Sequence, residues 1–393
     1  MKSILTALLF SSFIYFEYLN ISNTIINTIF ALFSFYLLLT IDKKALFFSG
    51  FYISVLWFWW LGYSFVYYEL TYLIPVVIFG VGLVYGLLFY FTGIINNIYF
   101  RASYLFLLTF IYPFGFNWLQ LELPFVNTLL GTSKIDFALI LLALVMIAKL
   151  PNYKKYISII PLLFALSSQQ SIQLPNIKIY MANTNIKQEN KWEDIHKENI
   201  INQNFKEIDF AIKENYDLVI LPETTLPLIL NKDQGLQTLL EQKSMKISIV
   251  IGSLYKKDGF YHNSTYFFEN GKMEVAHKVV LIPFGEAVPL PQLLKDLIND
   301  TFYNGAKDYE ASEMATDFNI KGIDFRSAIC YEATTNKIFE NSKSKYMIAI
   351  SNNAWFVPST QPTLQNLLLK YYAKKYNMKI FSCANMSGNS IIN

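Results

Sequence analysis

The sequence predicts a chain in two parts: a multi-span α-helical membrane domain over residues 1–168, then an α/β domain over residues 174–393. Three observations carry that prediction. The chain is 53% hydrophobic and only 16% charged, too apolar for one ordinary soluble domain. Its charge is uneven: residues 1–168 hold eight basic and five acidic groups, leaving 24 of each sign to the remainder. After Leu174-Pro175-Asn176, short β-type runs begin to alternate with helix-type segments.

A spanning helix needs about 20 mostly apolar residues. Seven candidate spans follow in order: Ile4–Leu19, Ile21–Ile41, Ala45–Tyr68, Tyr72–Ile94, Tyr104–Trp118, Ile135–Leu150 and Tyr156–Ser168. The seventh is short, and a buried soluble helix is the alternative. Basic residues favour the cytoplasmic side. With the N-terminus inside and seven crossings, Lys2, Lys43, Lys44, Arg101, Lys149, Lys154 and Lys155 all fall inside, and only Lys134 falls outside. That count supports the seventh span and places the polar domain outside the cytoplasm. The first segment lacks a small-residue cleavage site and reads as a retained signal anchor. Trp57, Trp59 and Trp60, with Tyr63, Tyr67 and Tyr68, read as packing and interface anchors.

In the polar half, strands are expected near Ile177–Met181, Leu218–Leu221, Ile247–Gly252, Thr265–Phe268, Phe325–Ile329, Tyr346–Ser351 and Ile380–Ala384. Ile201, Phe205, Ile208 and Ile212 recur at helical spacing, and a second helix is expected over Thr363–Asn377. Strand–helix alternation reads as a sheet with helices on its faces. Ligands of such sheets gather beyond the carboxyl ends of the strands. Glu223 and Cys330 both sit there.

A carboxylate, an ammonium and a thiol in the order Glu223, Lys278, Cys330 form a set able to transfer acyl groups through a thioester. Cysteine attacks as its thiolate, and a helix N-terminus or a nearby cation lowers its pKa. Cys330 is expected at a strand-to-helix turn, with a helix starting around Thr334. Glu223 is placed to take the thiol proton, and Lys278 to hold a developing oxyanion. Glu286 is placed to position Lys278 or share in proton transfer, and Glu332 to orient the same network. Taken singly, a lone cysteine after a strand is more often inert, and a strand-end Glu is more often a solvated cap. Cys330 and Cys383 have no metal-ligand spacing. With no basic stripe, nucleic acid is excluded as a partner.

The blocks Leu221-Pro222-Glu223, His277-Lys278, Leu281-Ile282-Pro283-Phe284-Gly285-Glu286-Ala287-Val288-Pro289-Leu290, Ala328-Ile329-Cys330-Tyr331-Glu332 and Ser351-Asn352-Asn353-Ala354-Trp355-Phe356 resemble the apolipoprotein N-acyltransferases, the membrane branch of the nitrilase superfamily. The resemblance covers essentially the whole chain. It implies an αββα nitrilase sandwich, with Glu223 as general base, Lys278 as oxyanion stabiliser and Cys330 as nucleophile. Glu286, Tyr331 and Glu332 match supporting positions. Trp192 matches a tryptophan that helps activity in a block with Asn185, Ile186 and Gln188, and Asn263 matches an asparagine of the site wall. The implied reaction moves an acyl chain from a phospholipid donor to the amine of a diacylglyceryl-cysteine apolipoprotein, with no cofactor. The implied setting is the periplasmic side of a bacterial inner membrane, in agreement with the charge count. There are departures. The chain stops at Asn393, where the family continues with further strands and a last span, so a truncated sheet edge and a missing eighth span are expected. Leu221 stands where tryptophan is common, and Asn353 where aspartate is frequent.

Apolar segments flank these residues: Thr225–Leu230, Val288-Pro289-Leu290 with Leu293, Leu294, Leu297 and Ile298, and Trp355-Phe356-Val357-Pro358. They are read either as interior packing or as arms that dip into lipid. Two other functions fit the same residues: a membrane-anchored nitrilase-type amidase, and an inactive membrane scaffold.

Overall fold

The computed structural model describes residues 1–167, 171–302 and 308–393. The chain divides into two compact units: Met1–Gln170 with Pro358–Tyr371, and Ser171–Val357 with Tyr372–Asn393.

The first unit is helical. Its helices begin where polar residues cap them. Asn23 accepts from the N–H groups of Ile25 and Ile26 ahead of Thr24–Thr40, and Asp42 accepts from Ala45 ahead of Lys43–Phe58. Ser133 and Asp136 form a capping box ahead of Lys134–Lys149. Among the described residues, Lys43–Tyr67 and Thr71–Thr92 are long and apolar enough to cross a bilayer, and Thr24–Thr40 is a shorter apolar helix. The two long segments pack closely because Gly82 and Gly86, four residues apart, face aromatic side chains. A Cβ on Gly82 would lie 2.5 Å from the Phe51 ring, and one on Gly86 3.0 Å from the Phe47 ring. Trp57 and Trp60 are buried; Trp57 donates to Ser11 Oγ at 3.1 Å and Trp60 to the Trp57 carbonyl at 2.6 Å. They are packing residues.

Two expected spans need correction. The fifth, Tyr104–Trp118, is a helix over Ile98–Leu108 that stops well short. Pro113 and the left-handed Phe114 and Gly115 break the helix. Glu122, fully buried, then anchors the following segment through an ion pair with Lys134 at 2.5 Å. The seventh, Tyr156–Ser168, is a 3-10 segment, Asn152–Ser158, leading into a short helix, Ile159–Phe164. The chain then turns to pair with the 129–131 segment: Gly131 N donates to the Ala165 carbonyl and Ser167 N to that of Leu129. Ser168 lies outside the described residues.

The second unit holds two mixed sheets. One contains β1 (Ile179–Met181), β2 (Leu218–Ile220), β3 (Leu226–Ile229), β4 (Ser248–Lys257), β5 (Phe260–Glu269) and β6 (Lys272–His277), in the order β1-β2-β4-β5-β6 with β3 also on β4. The other contains β7 (Asp317–Ile320), β8 (Ile323–Ile329), β9 (Tyr346–Asn352), β10 (Lys379–Asn385) and β11 (Ser390–Ile392), in the order β11-β10-β9-β8-β7. β1, β2 and β4 are parallel neighbours, as are β8, β9 and β10. The sheets meet face to face through Leu218, Ile220, Val250 and Phe267 against Phe318, Phe325, Ile348, Ile350 and Phe381. On the other face of the first sheet, Val219, Ile249, Ile251 and Tyr266 pack with Ile208 and Ala211 of helix Asp194–Lys213 and Leu240 of helix Gln234–Ser244. The second sheet carries β11 antiparallel to β10 at the edge expected to be truncated.

For the apolar run after Glu223, the interior-packing alternative holds. The run is β3, with Leu226, Leu228 and Leu230 buried in the core, because it pairs with β4. Val288 is buried, whereas Leu293 is 82% exposed. The side chains of Leu297 and Ile298 lie outside the described residues.

Candidate active site

Glu223 follows β2, Lys278 follows β6, Cys330 follows β8, and Asn352 and Asn385 end β9 and β10. The strand directions therefore bring their C-terminal ends to one end of the sandwich, and Asn263 reaches the same place from β5.

Each carboxylate there is held by fixed donors. Asn263 Nδ2 donates to Glu223 Oε1 at 2.7 Å and to Glu286 Oε1 at 3.1 Å. The backbone N–H of Asn352 donates to Glu223 Oε2 at 2.8 Å. Lys278 Nζ lies 2.8 Å from Glu286 Oε1, 2.7 Å from Glu286 Oε2 and 3.9 Å from Glu223 Oε1. Ile282 N donates to Glu286 Oε2 at 2.9 Å, fixing the Pro283–Glu286 turn. Phe284 in that turn takes φ +62°.

Lys278 is completely buried. Burial alone would lower its pKa, but the charges of Glu286 and Glu223 outweigh it and hold the ammonium above the ordinary lysine value. Cys330 is buried too, at φ +53°, a left-handed conformation uncommon for a residue with a side chain. That kink turns the chain out of β8 into the five-residue 3-10 turn Cys330–Thr334. The helix expected to start around Thr334 is the short helix Asn336–Phe339. The expected lowering of the thiol pKa is corrected. Burial first, then the Glu223 charge, pushes it well above the usual range, against the pull of Lys278. A neutral thiol beside a carboxylate is the starting state for proton transfer to that carboxylate.

Glu332 braces the turn. Its Oε1 accepts from Ile329 N at 2.7 Å, and its Oε2 accepts from Val279 N at 2.7 Å and Val280 N at 3.2 Å. It thereby ties the residues beside Lys278 to those beside Cys330. Burial raises its pKa to about 7, against the Lys278 charge and these backbone donors. Tyr331 is buried in the same turn. Trp192 differs: it stands 46% exposed just after the short helix Gln188–Lys191. Gln188 is buried and accepts from Asn352 Nδ2 at 2.9 Å.

Sequence reasoning missed three contributors. Lys191, fully buried, donates to the Glu223 carbonyl at 3.1 Å. Asn385 joins the Asn352 and Ile186 segments. Gly252 lies under the Glu223 turn, where a Cβ would come within 2.6 Å of Thr224 N. The signal for Lys191 was its place beside Trp192, in a block already singled out. No group of three or more His, Cys, Asp or Glu residues with metal-site geometry occurs among the described residues.

Residues 1–168 match the family described as the apolipoprotein N-acyltransferase integral membrane domain, and residues 171–390 match carbon-nitrogen hydrolase. A membrane domain joined to a hydrolase-type sandwich with this site defines a membrane-bound enzyme of the carbon-nitrogen hydrolase class. Curated relatives narrow it. An apolipoprotein N-acyltransferase of Wolinella succinogenes is 43% identical over 98% of this chain and 94% of its own length. One from Helicobacter pylori is 35% identical over 89% and 83%, and one from Campylobacter jejuni 32% identical over 100% and 89%. The chain belongs to the apolipoprotein N-acyltransferase family and is an acyltransferase.

Proposed function

We propose that the enzyme moves an acyl chain from a phospholipid to the N-terminal amine of a diacylglyceryl-cysteine lipoprotein, through a thioester on Cys330. Glu223 takes the thiol proton as Sγ attacks the ester carbonyl. The oxyanion collapses, and the departing lysophospholipid oxygen receives that proton from Glu223. In the second half, the lipoprotein amine attacks the thioester, gives its proton to Glu223 and expels the thiolate, which recovers the proton. Lys278, kept charged by Glu286, stabilises the oxyanion of both halves. Asn263 and the Asn352 N–H hold the base in line, and Glu332 holds the nucleophile's turn. Tyr331 and Trp192 support the site, Trp192 from its exposed rim.

The single observation that carries this reading is the linked set of Glu223, Lys278, Glu286 and Asn263, whose three charged members act on the Cys330 thiol at a left-handed strand-end turn. The membrane domain favours a lipid donor over a soluble amide. The reading places the catalytic unit on the periplasmic side of an inner membrane crossed several times. The exposed Leu293, Leu294 and Met314 are apolar enough to meet acyl chains.

Single-turnover measurement with a fluorescent phospholipid tests the roles. Glu223→Gln keeps the shape but accepts no proton, so thioester formation should fall by about 10²–10⁴-fold. Lys278→Met should slow both formation and breakdown of the thioester. The double variant should be far less than multiplicatively worse, since both act in one unit. A Lys278→Met enzyme that acylates at the normal rate would remove lysine from the mechanism.

A further inference from the structure

The turn that presents Glu223 has an unusual backbone. Thr224, a β-branched residue, takes φ +44°, a conformation that needs outside support to persist. That support is visible on each side of it. Lys191 Nζ donates to the Glu223 carbonyl at 3.1 Å. Asn204 Nδ2 donates to the Thr225 carbonyl at 2.9 Å, while Thr225 Oγ1 donates to Asn204 Oδ1 at 2.6 Å. The peptide between Glu223 and Thr224 is thus gripped by an ammonium buried to 1% exposure.

Burying a lysine is costly unless it is satisfied, and burial pulls this one down to about 7, with the Glu223 charge acting the other way. Its position is itself built. The segment carrying it is stitched to the strand ends by Asn385, whose Oδ1 accepts from Ile186 N at 2.9 Å and Thr184 Oγ1 at 3.0 Å. Asn385 Nδ2 donates to the Ile186 carbonyl at 2.7 Å and to Asn352 Oδ1 at 2.9 Å. Asn352 completes the circuit through Gln188 on one side and Glu223 Oε2 on the other. All three Glu223 oxygens therefore have fixed donors: Asn263 and Asn352 on the carboxylate, Lys191 on the carbonyl.

We propose that Lys191 is a positioning residue that fixes Glu223 from the main-chain side, holding its strained turn so that the carboxylate meets the Cys330 thiol. This rests on the reading of Glu223 as the base. Lys191 touches no reacting atom, so its effect passes through Glu223 and through catalysis rather than lipid binding.

The test uses the full chain in detergent with a fluorescent phospholipid, and compares wild type, Lys191→Met, Glu223→Gln and the double variant. Loss of alignment at an ångström scale costs about 10²-fold. Lys191→Met should therefore lower the maximal acylation rate by about that factor, leaving the phospholipid concentration at half-maximal rate unchanged. In the Glu223→Gln background it should change the rate by less than about twofold, since no base remains to be positioned. A wild-type rate in Lys191→Met, or the same slowing in both backgrounds, would overturn the proposal. If Lys191→Met does not fold, Lys191→Arg and Lys191→Gln decide. Arg keeps the cation and should stay within about tenfold of wild type, whereas Gln, shorter and neutral, should lose about 10²-fold; equal rates would overturn the proposal. Wild-type protein that forms no thioester would overturn the Glu223 reading itself, and is separable because it fails before any Lys191 variant is compared.

Discussion

Glu223 is defined by its neighbours more than by its own chemistry. Its residue type and strand-end place were legible in the sequence, as were Lys278, Glu286 and Cys330, because side chains that carry charge or sulfur stand out in apolar runs. Lys191 and Gly252 were not, because their roles depend on contacts 32 and 29 residues or so away in the chain, closed only when β1 pairs with β2 and β2 with β4. Gly252 makes a sharp prediction. A Cβ there would meet Thr224 N at 2.6 Å and Glu223 Cα and the Pro222 carbonyl oxygen at 2.7 Å, all backbone. Gly252→Ala should cost about 1–3 kcal/mol of stability and depress thioester formation by more than the loss of folded protein explains. Paired thermal-melt and single-turnover data would show this; acylation in proportion to folded protein would contradict it. Cys383 is the contrasting sulfur. It is buried in β10, with Sγ 3.3 Å from the Ile220 carbonyl oxygen. Cys383→Ala should retain most activity and lose about 1 kcal/mol of stability, whereas Cys330→Ala should abolish the thioester. Equal damage from both would mean that the wrong sulfur had been assigned.

At the scale of elements, the seven expected strands are all present, each lying within a mostly apolar run. β3, β6, β7 and β11 were not expected. β6 and β7 are alternations of polar and apolar residues over only four to six positions, β3 carries Pro227, and β11 has three residues, so their strand signal is weaker than that of the apolar runs. Arg101 shows the converse. Counted from the sequence as a loop charge, it lies buried in helix Ile98–Leu108 and donates to the carbonyls of Leu39 and Ile41 at 3.0 and 2.6 Å, capping the end of helix Thr24–Thr40. Pairing of β5 with β6 creates another feature no run of sequence displays. His262 and His277 stack at 4.6 Å, with Tyr255 at 4.7 Å from His277 and Ser264 Oγ at 2.8 Å from its Nδ1. Burial, helped by the charges of His262 and Lys257, lowers His277 to about 4. The unfolded chain binds that proton near the ordinary value of about 6.5. The stabilising contribution is therefore complete above about pH 6.5 and is lost as pH falls towards 4. In detergent, the melting midpoint of wild type should fall relative to His277→Phe across that window; parallel midpoints would contradict it.

For the whole molecule, an apolar first half and a polar second half are legible in charge and hydropathy, since neither depends on tertiary contact, whereas the grouping of Pro358–Tyr371 with the first compact unit is not. Span ends do not follow in the same way. The fifth and seventh expected spans are cut short by left-handed turns and by pairing of the 129–131 segment with the 165–167 segment, which hydropathy does not register. The proposed topology, N-terminus inside and Asn393 outside, is checked by fusing a reporter active only after export to Asn393; activity confined to the cytoplasm would contradict the proposed access to lipid. The central claim is that Cys330 carries the acyl group between two lipid-bearing substrates. The most direct measurement is peptide mass spectrometry of the purified chain after incubation with a phospholipid of defined acyl mass, followed by a chase with a diacylglyceryl-cysteine peptide. The expected result is that acyl mass on the Cys330 peptide, stable in buffer and discharged onto the peptide amine. No adduct on Cys330, or discharge to water as fast as to the amine, would contradict it.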